Sequence, residues 1–418
     1  MARGDFKKIL YFTFRFPYPP EKGGYNLRAF CLAKILLKKY KVDLLTLIEN
    51  KKEEKYLFDL KKIFNQVFYF YHPGFFEYFG ALKSFFSTKP LQVGYYFCPK
   101  VASWLKRNYQ NYHLIFCSTI RSAEYVLNLP TRKVIDFVDA ISFNYSLAKE
   151  YAKGFWKLIY FIENQRLLNY EIAVLKKLDL SFIASQKDKE YLIQNSKFKI
   201  QNAKLKTQNS KLQDLDAKIV VLPNGVKDEI LKMEAKFQEK DIISFFGKMD
   251  YQPNEDAVFY FANEIFPHLK KEFPQLKFYI LGTNPSKKVK KLARLKDITI
   301  TGYLPNPYQI LQKSKVIVAP IRFGAGIQNK VLEAMALGKA VVLSEVASRG
   351  IEGEDSFHFL VAKNPKEFVE KISSLLKDKE KRIFLGKNAK NLILEKYTWE
   401  KVGGKLISQI EKVIESTS

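Results

Sequence analysis

The sequence predicts an α/β protein of two domains, each built on a parallel β-sheet covered by helices. Its 418 residues exceed what one hydrophobic core usually serves, and 47% of them are hydrophobic, enough for a core in each domain. Apolar segments alternate with amphipathic helical segments along the chain, which is typical of helix-covered parallel sheets. The apolar series starts again after the charged stretch VKDEILKMEAKFQEKD. We therefore expect the domain boundary near residues 225 to 240.

The predicted strands are short apolar segments that are followed by polar residues or glycine. In the first half they are ILYFTFRF (9–16), VDLLTLI (42–48), HLIFCST (113–119), KVIDFVD (133–139), LSFIAS (180–185) and KIVVLP (218–223). In the second half they are ISFFG (243–247), KFYILG (277–282), ITITG (298–302), VIVAP (316–320) and AVVLS (340–344).

The predicted organisation has an N-terminal domain at 1–225, a linker at 226–240, a second domain at 241–395 and a C-terminal helix at 396–418. One segment, 194–213, departs from the alternation. It repeats Gln-Asn followed by Ser-Lys or Ala-Lys and lacks a wide apolar face. This pattern favours a low-complexity insertion or a frayed helix, with a nucleic-acid-binding tail as the alternative.

The charge balance indicates an anionic partner without identifying it. The chain has 70 basic and 43 acidic residues, a formal net charge of +27. Nucleic acid, anionic membrane and phosphorylated ligands all suit that charge. The excess is lysine spread along the whole chain, which is more often solvated surface than a binding site.

Cysteine usage and hydropathy predict a cytoplasmic protein. Cys31, Cys98 and Cys117 are far apart and odd in number, which argues against a disulfide framework and a zinc site. No apolar run reaches the length of about 18 residues needed for a membrane span. The start of the sequence lacks a small-residue cleavage site after its apolar stretch, so we expect no export.

The stretch PIRFGAGIQNKVLEAMALGKAVVLSE, at 320–345, carries the strongest functional signal. Gly324 and Gly326 permit positive φ angles and the close approach of a ligand to bare amides. A helix is predicted to open near residues 327 to 329. A glycine loop that leads into a helix N-terminus presents unsatisfied N–H groups and partial positive charge, which together form an anion site. A diphosphate fits it.

Three charged side chains surround this loop in the sequence. Arg322 and Lys330 add positive charge, and Glu333 lies on the same helix face as Lys330. A carboxylate beside a phosphate site is repulsive unless it binds hydroxyls, such as those of a ribose. The alternative is that Glu333 merely pairs with Lys330. The loop's place beyond a strand's carboxyl end favours a ligand, here a nucleotide linked through its diphosphate to another group.

The segment RFGAGIQNKVLEAMALGKAVVLS resembles the donor-binding segment of the family 4 glycosyltransferases, which are retaining, nucleotide-sugar-dependent enzymes of GT-B fold. RFPYPPEKGGYNLR and IDFVDA are most similar to a bacterial branch associated with exopolysaccharide biosynthesis. Other pieces follow the family's order: Gly23 and Gly24, LPNGV (222–226), FGKMDYQPNEDAV (246–258) and YTWEKV (397–402).

This resemblance implies two Rossmann-like domains that face a cleft, with the C-terminal helix returning to the first domain. It implies transfer of a hexosyl group, with retention, from a UDP- or GDP-linked sugar to a saccharide or lipid-linked acceptor. The process would be polysaccharide or cell-envelope glycan biosynthesis. Neither a metal nor a further cofactor is expected.

The resemblance also implies roles for individual residues. Glu333 matches the second glutamate of the family's paired motif, which holds the ribose. The first glutamate would fall at Ala325, so backbone amides from Gly326 to Gln328 must serve there. The family's phosphate-binding Arg and Lys fall at Lys248 and at Pro253 or Asn254. The predicted donor-binding residues are Gly23, Gly24, Gly247, Lys248, Arg322, Gly324, Ala325, Gly326, Ile327, Gln328, Lys330 and Glu333.

No catalytic base is evident, and front-face retaining transfer does not require one, because the leaving diphosphate takes the acceptor proton. The enzyme then works by positioning and by stabilising charge. Asp139, Lys330 and Glu333 are the predicted residues of the reaction. Asp136 and Asp139 lie at the end of the predicted strand KVIDFVD. Asp139 either orients a sugar hydroxyl or the acceptor, or it caps the following helix.

The aromatic segment QVFYFYHPGFFEYFGALKSFFSTKP, at 66–90, has three interpretations: buried core, a carbohydrate-stacking surface, or a membrane-interface helix. The net positive charge suits peripheral contact with anionic lipid at the inner face of a membrane and a lipid-linked acceptor.

Two other functions compete with transfer. A nucleic-acid-binding protein accounts for the charge but not for the glycine loops at strand ends, so we expect no nucleic acid partner. A sugar-nucleotide epimerase of the same fold would share the phosphate site.

Overall fold

The computed structural model divides the chain into two compact units. The first unit comprises Met1–Pro223 and Gly403–Ser418, and the second comprises Asn224–Val402. The residues that the structure describes are 6–73, 84, 87–151, 154–202, 214–234, 237–324 and 326–416.

The sheet of the first unit is parallel throughout. Its strand order is β3-β2-β1-β4-β5-β6-β7. The chain winds from β1 to the β3 edge and then returns to β4 on the other side of β1, so the winding direction reverses between β1 and β4. The strands are β1 (Lys8–Thr13), β2 (Lys41–Ile48), β3 (Gln66–Tyr71), β4 (Leu114–Ser118), β5 (Lys133–Asp136), β6 (Leu180–Ile183) and β7 (Ile219–Val221).

Helices connect these strands, as the alternating pattern predicts. The helices described in this unit are α1 (Gly24–Leu37), α2 (Leu57–Ile63), α3 (Leu91–Tyr95), α4 (Pro99–Asn108), α5 (Ile120–Ala123), α6 (Ile141–Tyr151), α7 (Phe155–Lys177) and α8 (Gln186–Asn202). Short 3-10 turns lie at Pro20–Lys22, Lys51–Tyr56 and Tyr109–Asn111.

A buried ion pair joins α1 to the sheet. Arg28 is only 1% exposed. Its Nε and Nη2 atoms each donate to the Asp136 carboxylate at 2.7 Å, and Nη2 also donates to the carbonyl of Leu222 at 2.8 Å. Because Asp136 ends β5 and Leu222 directly follows β7, one side chain connects the helix with the ends of two strands.

The second unit also contains a parallel sheet, with strand order β10-β9-β8-β11-β12-β13. Here the winding direction reverses between β8 and β11. The strands are β8 (Lys240–Phe246), β9 (Lys277–Leu281), β10 (Ile298–Gly302), β11 (Ser314–Ala319), β12 (Ala340–Ser344) and β13 (Leu360–Ala362).

The helices of this unit cover the sheet, and α14 buries Val331, Leu332, Ala334 and Met335 in the core. The helices are α9 (Asp228–Leu231), α10 (Gln252–Tyr260), α11 (Phe266–Glu272), α12 (Lys287–Lys291), α13 (Tyr308–Lys313), α14 (Asn329–Ala336), α15 (Glu345–Ser348), α16 (Pro365–Lys377), α17 (Lys379–Lys396) and α18 (Trp399–Glu415). A π-helical turn, Phe261–Ile265, joins α10 to α11, and a 3-10 turn lies at Leu292–Arg294.

Most of α18, from Gly403 onward, belongs to the first unit. Glu411 forms an ion pair with Lys39, and Arg132 donates to the Ser416 carbonyl. A Cβ atom on Gly403 would lie 3.3 Å from Ile35 of α1, so the helix passes close to α1 at that point.

Two strands were not predicted. β13 spans only Leu360–Ala362, too short to give a pattern. β3 occupies the start of the aromatic segment as an edge strand, with Tyr69 and Tyr71 exposed while Phe68 packs against Trp104. The membrane-interface helix is therefore wrong for these residues.

Other parts of the two unusual segments lie outside the described residues. These parts are 74–83 and 85–86 of the aromatic segment and 203–213 of the polar repeat. The repeat's first residues, 194–202, continue α8. None of the helices that the structure describes is long and apolar enough to cross a membrane.

Candidate functional site

The glycine loop lies where the winding of the second sheet reverses. It leaves the carboxyl end of β11 and leads to α14, with φ of +123° at Gly324 and +74° at Gly326. These left-handed values explain why glycine is needed at both positions. Gln328 precedes the helix and no side chain caps the first turn, so its leading N–H groups lack such a partner. Ala325 lies outside the described residues.

A second loop meets the first from β8, the neighbouring strand across this reversal point. Gly247 follows β8 with φ of +150°. A Cβ atom there would lie 2.9 Å from Asn254 Nδ2 and 3.2 Å from Lys330 Cε. The loop after β8 thus lies beside the first turn of α14, and a glycine keeps space beside the lysine.

Lys330 lies between these loops in the first turn of α14. Its ammonium group donates to the Asn254 side-chain carbonyl, and it lies 5.0 Å from the centre of the Phe245 ring. Asn254 in turn donates to the Lys248 carbonyl at 2.8 Å. Burial lowers the pKa of Lys330 to about 7, and the charge of Glu333 opposes that shift. No carboxylate forms an ion pair with this lysine among the described residues.

Glu333 is held by a different partner. The Tyr308 hydroxyl donates to its Oε2 atom at 3.1 Å. Burial raises the pKa of Glu333 to about 7, although the Tyr308 hydrogen bond and the charges of Lys227 and Lys330 act in the opposite direction. Lys330 and Glu333 therefore share a helix face, as predicted, without forming the simple ion pair of the alternative interpretation.

The remaining predicted cations of this unit are paired with acids. Arg322 donates from Nε and Nη2 to the Asp256 carboxylate at 2.8 and 2.5 Å. Lys248 lies 3.5 Å from Asp250 and is half exposed. Because Asp256 already balances Arg322, Lys330 is the cation of this site that lacks a carboxylate partner among the described residues.

The first unit holds the other predicted residues. Gly23 has an extended backbone, with φ of 170°, and Gly24 begins α1. Burial and the nearby Asp188 carboxylate raise the pKa of Asp139 to about 7. Helix capping, the alternative role for Asp139, is performed by other carboxylates. Asp188 accepts from the Ala140 N–H, and Glu171 accepts from the Ser142 N–H, each at 3.1 Å.

Asn254, Asp256 and Tyr308 complete the second-unit site. The sequence indicates Asn254 only as one of two residues at the position of the family's lysine, and it does not indicate Asp256 or Tyr308. Each of the three contacts a site residue that is far away in sequence: Asn254 contacts Lys330, Asp256 contacts Arg322, and Tyr308 contacts Glu333. No local spacing in the sequence predicts such contacts. Within the described ranges, no group of three His, Cys, Asp or Glu residues could hold a metal ion.

Comparison with known proteins finds a family-model match within the second unit. Residues 240–378 match the family model described as glycosyl transferases group 1. Two uncharacterized glycosyltransferases of Methanocaldococcus jannaschii are also similar to this chain. One is 30% identical over 22% of this chain, and the other is 26% identical over 49% of it. The matches span 24% and 55% of those relatives' lengths.

Solved structures match the whole chain at low identity. Anabaena HepE in complex with UDP has a TM-score of 0.64 at 14% identity, over 97% of this chain and 100% of that one. The chain has the GT-B fold. Sucrose-phosphate synthase of Thermosynechococcus elongatus has a TM-score of 0.66 at 14% identity, over 98% and 100% of the two chains. In this GT-B chain, the stretch that matches the family model contains every second-unit residue of the predicted donor set.

Proposed function

We propose that this protein is a glycosyltransferase that moves a sugar, with retention, from a nucleotide sugar to a saccharide or lipid-linked acceptor. The process would be polysaccharide or cell-envelope glycan biosynthesis at the cytoplasmic side of a membrane. The match of residues 240–378 to a glycosyltransferase family model supports the activity.

One observation carries the proposal. At the reversal point of the second sheet, a glycine loop, an uncapped helix N-terminus, Lys330 and Glu333 lie together. Open parallel sheets bind ligands beyond the carboxyl ends of their strands at this point. Helix N–H groups and a lysine suit a diphosphate, and a carboxylate one turn further along suits ribose hydroxyls.

The donor is proposed to be UDP-linked, because a structural neighbour, Anabaena HepE, is known in complex with UDP-glucose. Lys330 would stabilise charge on the leaving diphosphate, and Glu333 would hold the ribose. Asp139 in the first unit is proposed to orient an acceptor hydroxyl. This role is open to Asp139 because Asp188 and Glu171 cap the neighbouring helix.

The direct test begins with thermal unfolding against a panel of nucleoside diphosphates and their sugars. A ligand that binds only the native state raises the apparent melting temperature. The stabilising donor is then incubated with saccharide and lipid-linked acceptors, and proton NMR reports the anomeric configuration of the product. A product of inverted configuration would refute retention. If none of the nucleotides raises the melting temperature, the proposed donor site is refuted.

Donor affinity should depend on pH as a bell-shaped curve with its maximum near pH 7. As the pH rises above about 7, Lys330 loses its proton and its attraction to phosphate. As the pH falls below about 7, Glu333 becomes protonated and accepts ribose hydroxyls less well. The measurement is calorimetric titration with a nucleotide sugar, because the terminal phosphate of a nucleoside diphosphate titrates in the same range.

Matched variants assign each side of this curve. Lys330→Ala should remove the decline at high pH, and Glu333→Gln should remove the decline at low pH. An unchanged curve in both variants would contradict the assignment.

Transfer should not need a divalent metal. The uncapped N–H groups of α14 and the ammonium of Lys330 supply the positive charge that a metal would otherwise bring to the diphosphate. We expect equal rates in EDTA and in added magnesium or manganese. Loss of transfer in EDTA with recovery on adding either metal would disprove this expectation.

A further inference from the structure

Two arginines lie at the reversal point of the first sheet. Arg15 comes shortly after β1, and Arg121 lies in α5, directly after β4. β1 and β4 are adjacent, and the winding direction changes between them. This position in the first sheet corresponds to that of the proposed donor site in the second sheet, and neither arginine belongs to the proposed donor site.

The two guanidinium groups flank the same aromatic rings. Their central carbons lie 5.0 and 4.9 Å from the Phe14 ring centre and 5.6 and 5.5 Å from the Tyr96 ring centre. Phe14 is 1% exposed, so this part of the cluster is well ordered by packing. Two cations held on one pair of rings repel each other, and cation–π attraction to the rings opposes that repulsion.

Acidic partners balance only one of the two charges. Arg15 Nη2 donates to the Tyr96 hydroxyl at 2.6 Å, and its Nε lies 3.4 Å from Glu49. Arg121 has no ion pair or hydrogen bond among the described residues, and its buried Nε lacks an acceptor there. Burial is the main cause that lowers the pKa of Arg121, and Arg15 lowers it further.

A buried hydroxyl two residues before Arg121 is also unsatisfied. Thr119 is 4% exposed, and its Oγ1 has no partner among the described residues. Its φ of +65° is unusual for a β-branched residue, and such strain is concentrated at functional sites. A hydroxyl and a guanidinium without hydrogen-bond partners among the described residues, both at the end of β4, suit a ligand with several acceptor atoms.

We propose that Arg15 and Arg121 bind a phosphate group of the acceptor. This inference rests on the proposed function and narrows its acceptor to a phosphorylated one. The guanidinium of Arg121 has five N–H donors. A carboxylate has only two oxygens to accept from them, whereas a phosphate group has three acceptor oxygens. An anion between the arginines also replaces their repulsion with two attractions.

The test compares α-glucose 1-phosphate with methyl α-glucoside by calorimetric titration. Three variants are measured beside the wild type: Arg121→Gln, Lys330→Ala and Arg107→Gln. Lys330→Ala weakens the phosphate site of the second unit. Arg107→Gln removes an exposed arginine of the first unit, the unit that holds Arg121, and controls for the overall charge of +27. Among the described residues, Arg107 Nε donates to the Ser103 carbonyl of its own helix and Arg107 forms no ion pair.

We expect Arg121→Gln to weaken binding of the sugar phosphate by about tenfold to hundredfold, with little change in Arg107→Gln and Lys330→Ala. The neutral glycoside should show no such difference. Arg15→Gln serves as the second variant should Arg121→Gln fold poorly, which circular dichroism melting reports. Binding that depends on Lys330 alone, or on none of these residues, would overturn the proposal.

A phosphate can arrive on a soluble sugar or on a lipid. Flotation with phosphatidylcholine vesicles, with and without a polyprenyl phosphate, distinguishes the two sources. Arg121-dependent binding to either probe supports the site, and its absence with both probes refutes it. Binding of a nucleotide sugar to the wild type is measured separately. If the wild type binds no nucleotide sugar, the proposed transfer is refuted, but an Arg121-dependent phosphate site is not.

Discussion

Arg28→Met should lower the free energy of unfolding of the first unit by about 3 to 5 kcal/mol, because it leaves the Asp136 carboxylate buried without its cation. The Leu222 carbonyl would lose a donor as well. Urea unfolding followed by far-ultraviolet circular dichroism measures the change as a lower midpoint.

Two further variants make this result specific. Lys22→Met removes a half-exposed cation of the same unit, which pairs with the partly buried Glu53 at 2.6 Å, and should cost less than about 1 kcal/mol. The double variant Arg28→Met with Asp136→Leu removes both buried charges and should recover part of the lost stability. Equal effects of Arg28→Met and Lys22→Met would show that burial contributes nothing to this pair.

Glu333→Gln should weaken donor binding by about tenfold to hundredfold while leaving the fold intact. Hydrogen bonds to a charged acceptor contribute about 1.5 to 3 kcal/mol, and the charge is what the substitution removes. Glutamine retains an oxygen for the Tyr308 hydroxyl, so we expect the free energy of unfolding to change by less than about 1 kcal/mol. Lys330→Ala should weaken a nucleoside diphosphate more than the free nucleoside, since its proposed partner is phosphate.

Calorimetric titration of both variants with nucleoside and nucleoside diphosphate measures these effects. Glu380→Gln, an exposed carboxylate in the first turn of α17, is the matched control and should bind as the wild type does. If Glu333→Gln and Lys330→Ala also bind both ligands normally, the donor site lies elsewhere.

Most of the predicted strands are buried on both faces, and the edge strands β7 and β10 were predicted as well. Segments such as VIVAP and AVVLS are continuous apolar runs because helices cover their sheet on each side, and they became β11 and β12. β3 escaped prediction because an edge strand exposes some of its rings, so its aromatic residues gave no single pattern. Sheet order was also out of reach, since it depends on contacts between segments far apart in the chain.

The site residues likewise divide into those that one local stretch predicted and those that come from distant parts of the chain. The glycine loop, Lys330 and Glu333 lie within one short stretch, and strand-to-helix geometry alone predicted their proximity. Tyr308 and Asn254 reach that stretch from other elements, and only the folded sheet brings them there. Arg322 was predicted from its residue type and its place beside the loop, whereas its ion pair with Asp256 was not predicted, because Asp256 comes from another element.

The inclusion of Gly403–Ser418 in the first unit has a consequence for biosynthesis. Domains usually fold in order as they leave the ribosome, the N-terminal one first. Here the second unit, Asn224–Val402, is synthesised in full before the last helical turns of the first. Residues that contact those turns, such as Lys39, which pairs with Glu411, therefore stay exposed to solvent while the entire second unit is synthesised. The unit that begins to fold first is the last to be completed, and a chain truncated after residue 402 should contain a complete second unit and a first unit that lacks its last helical turns.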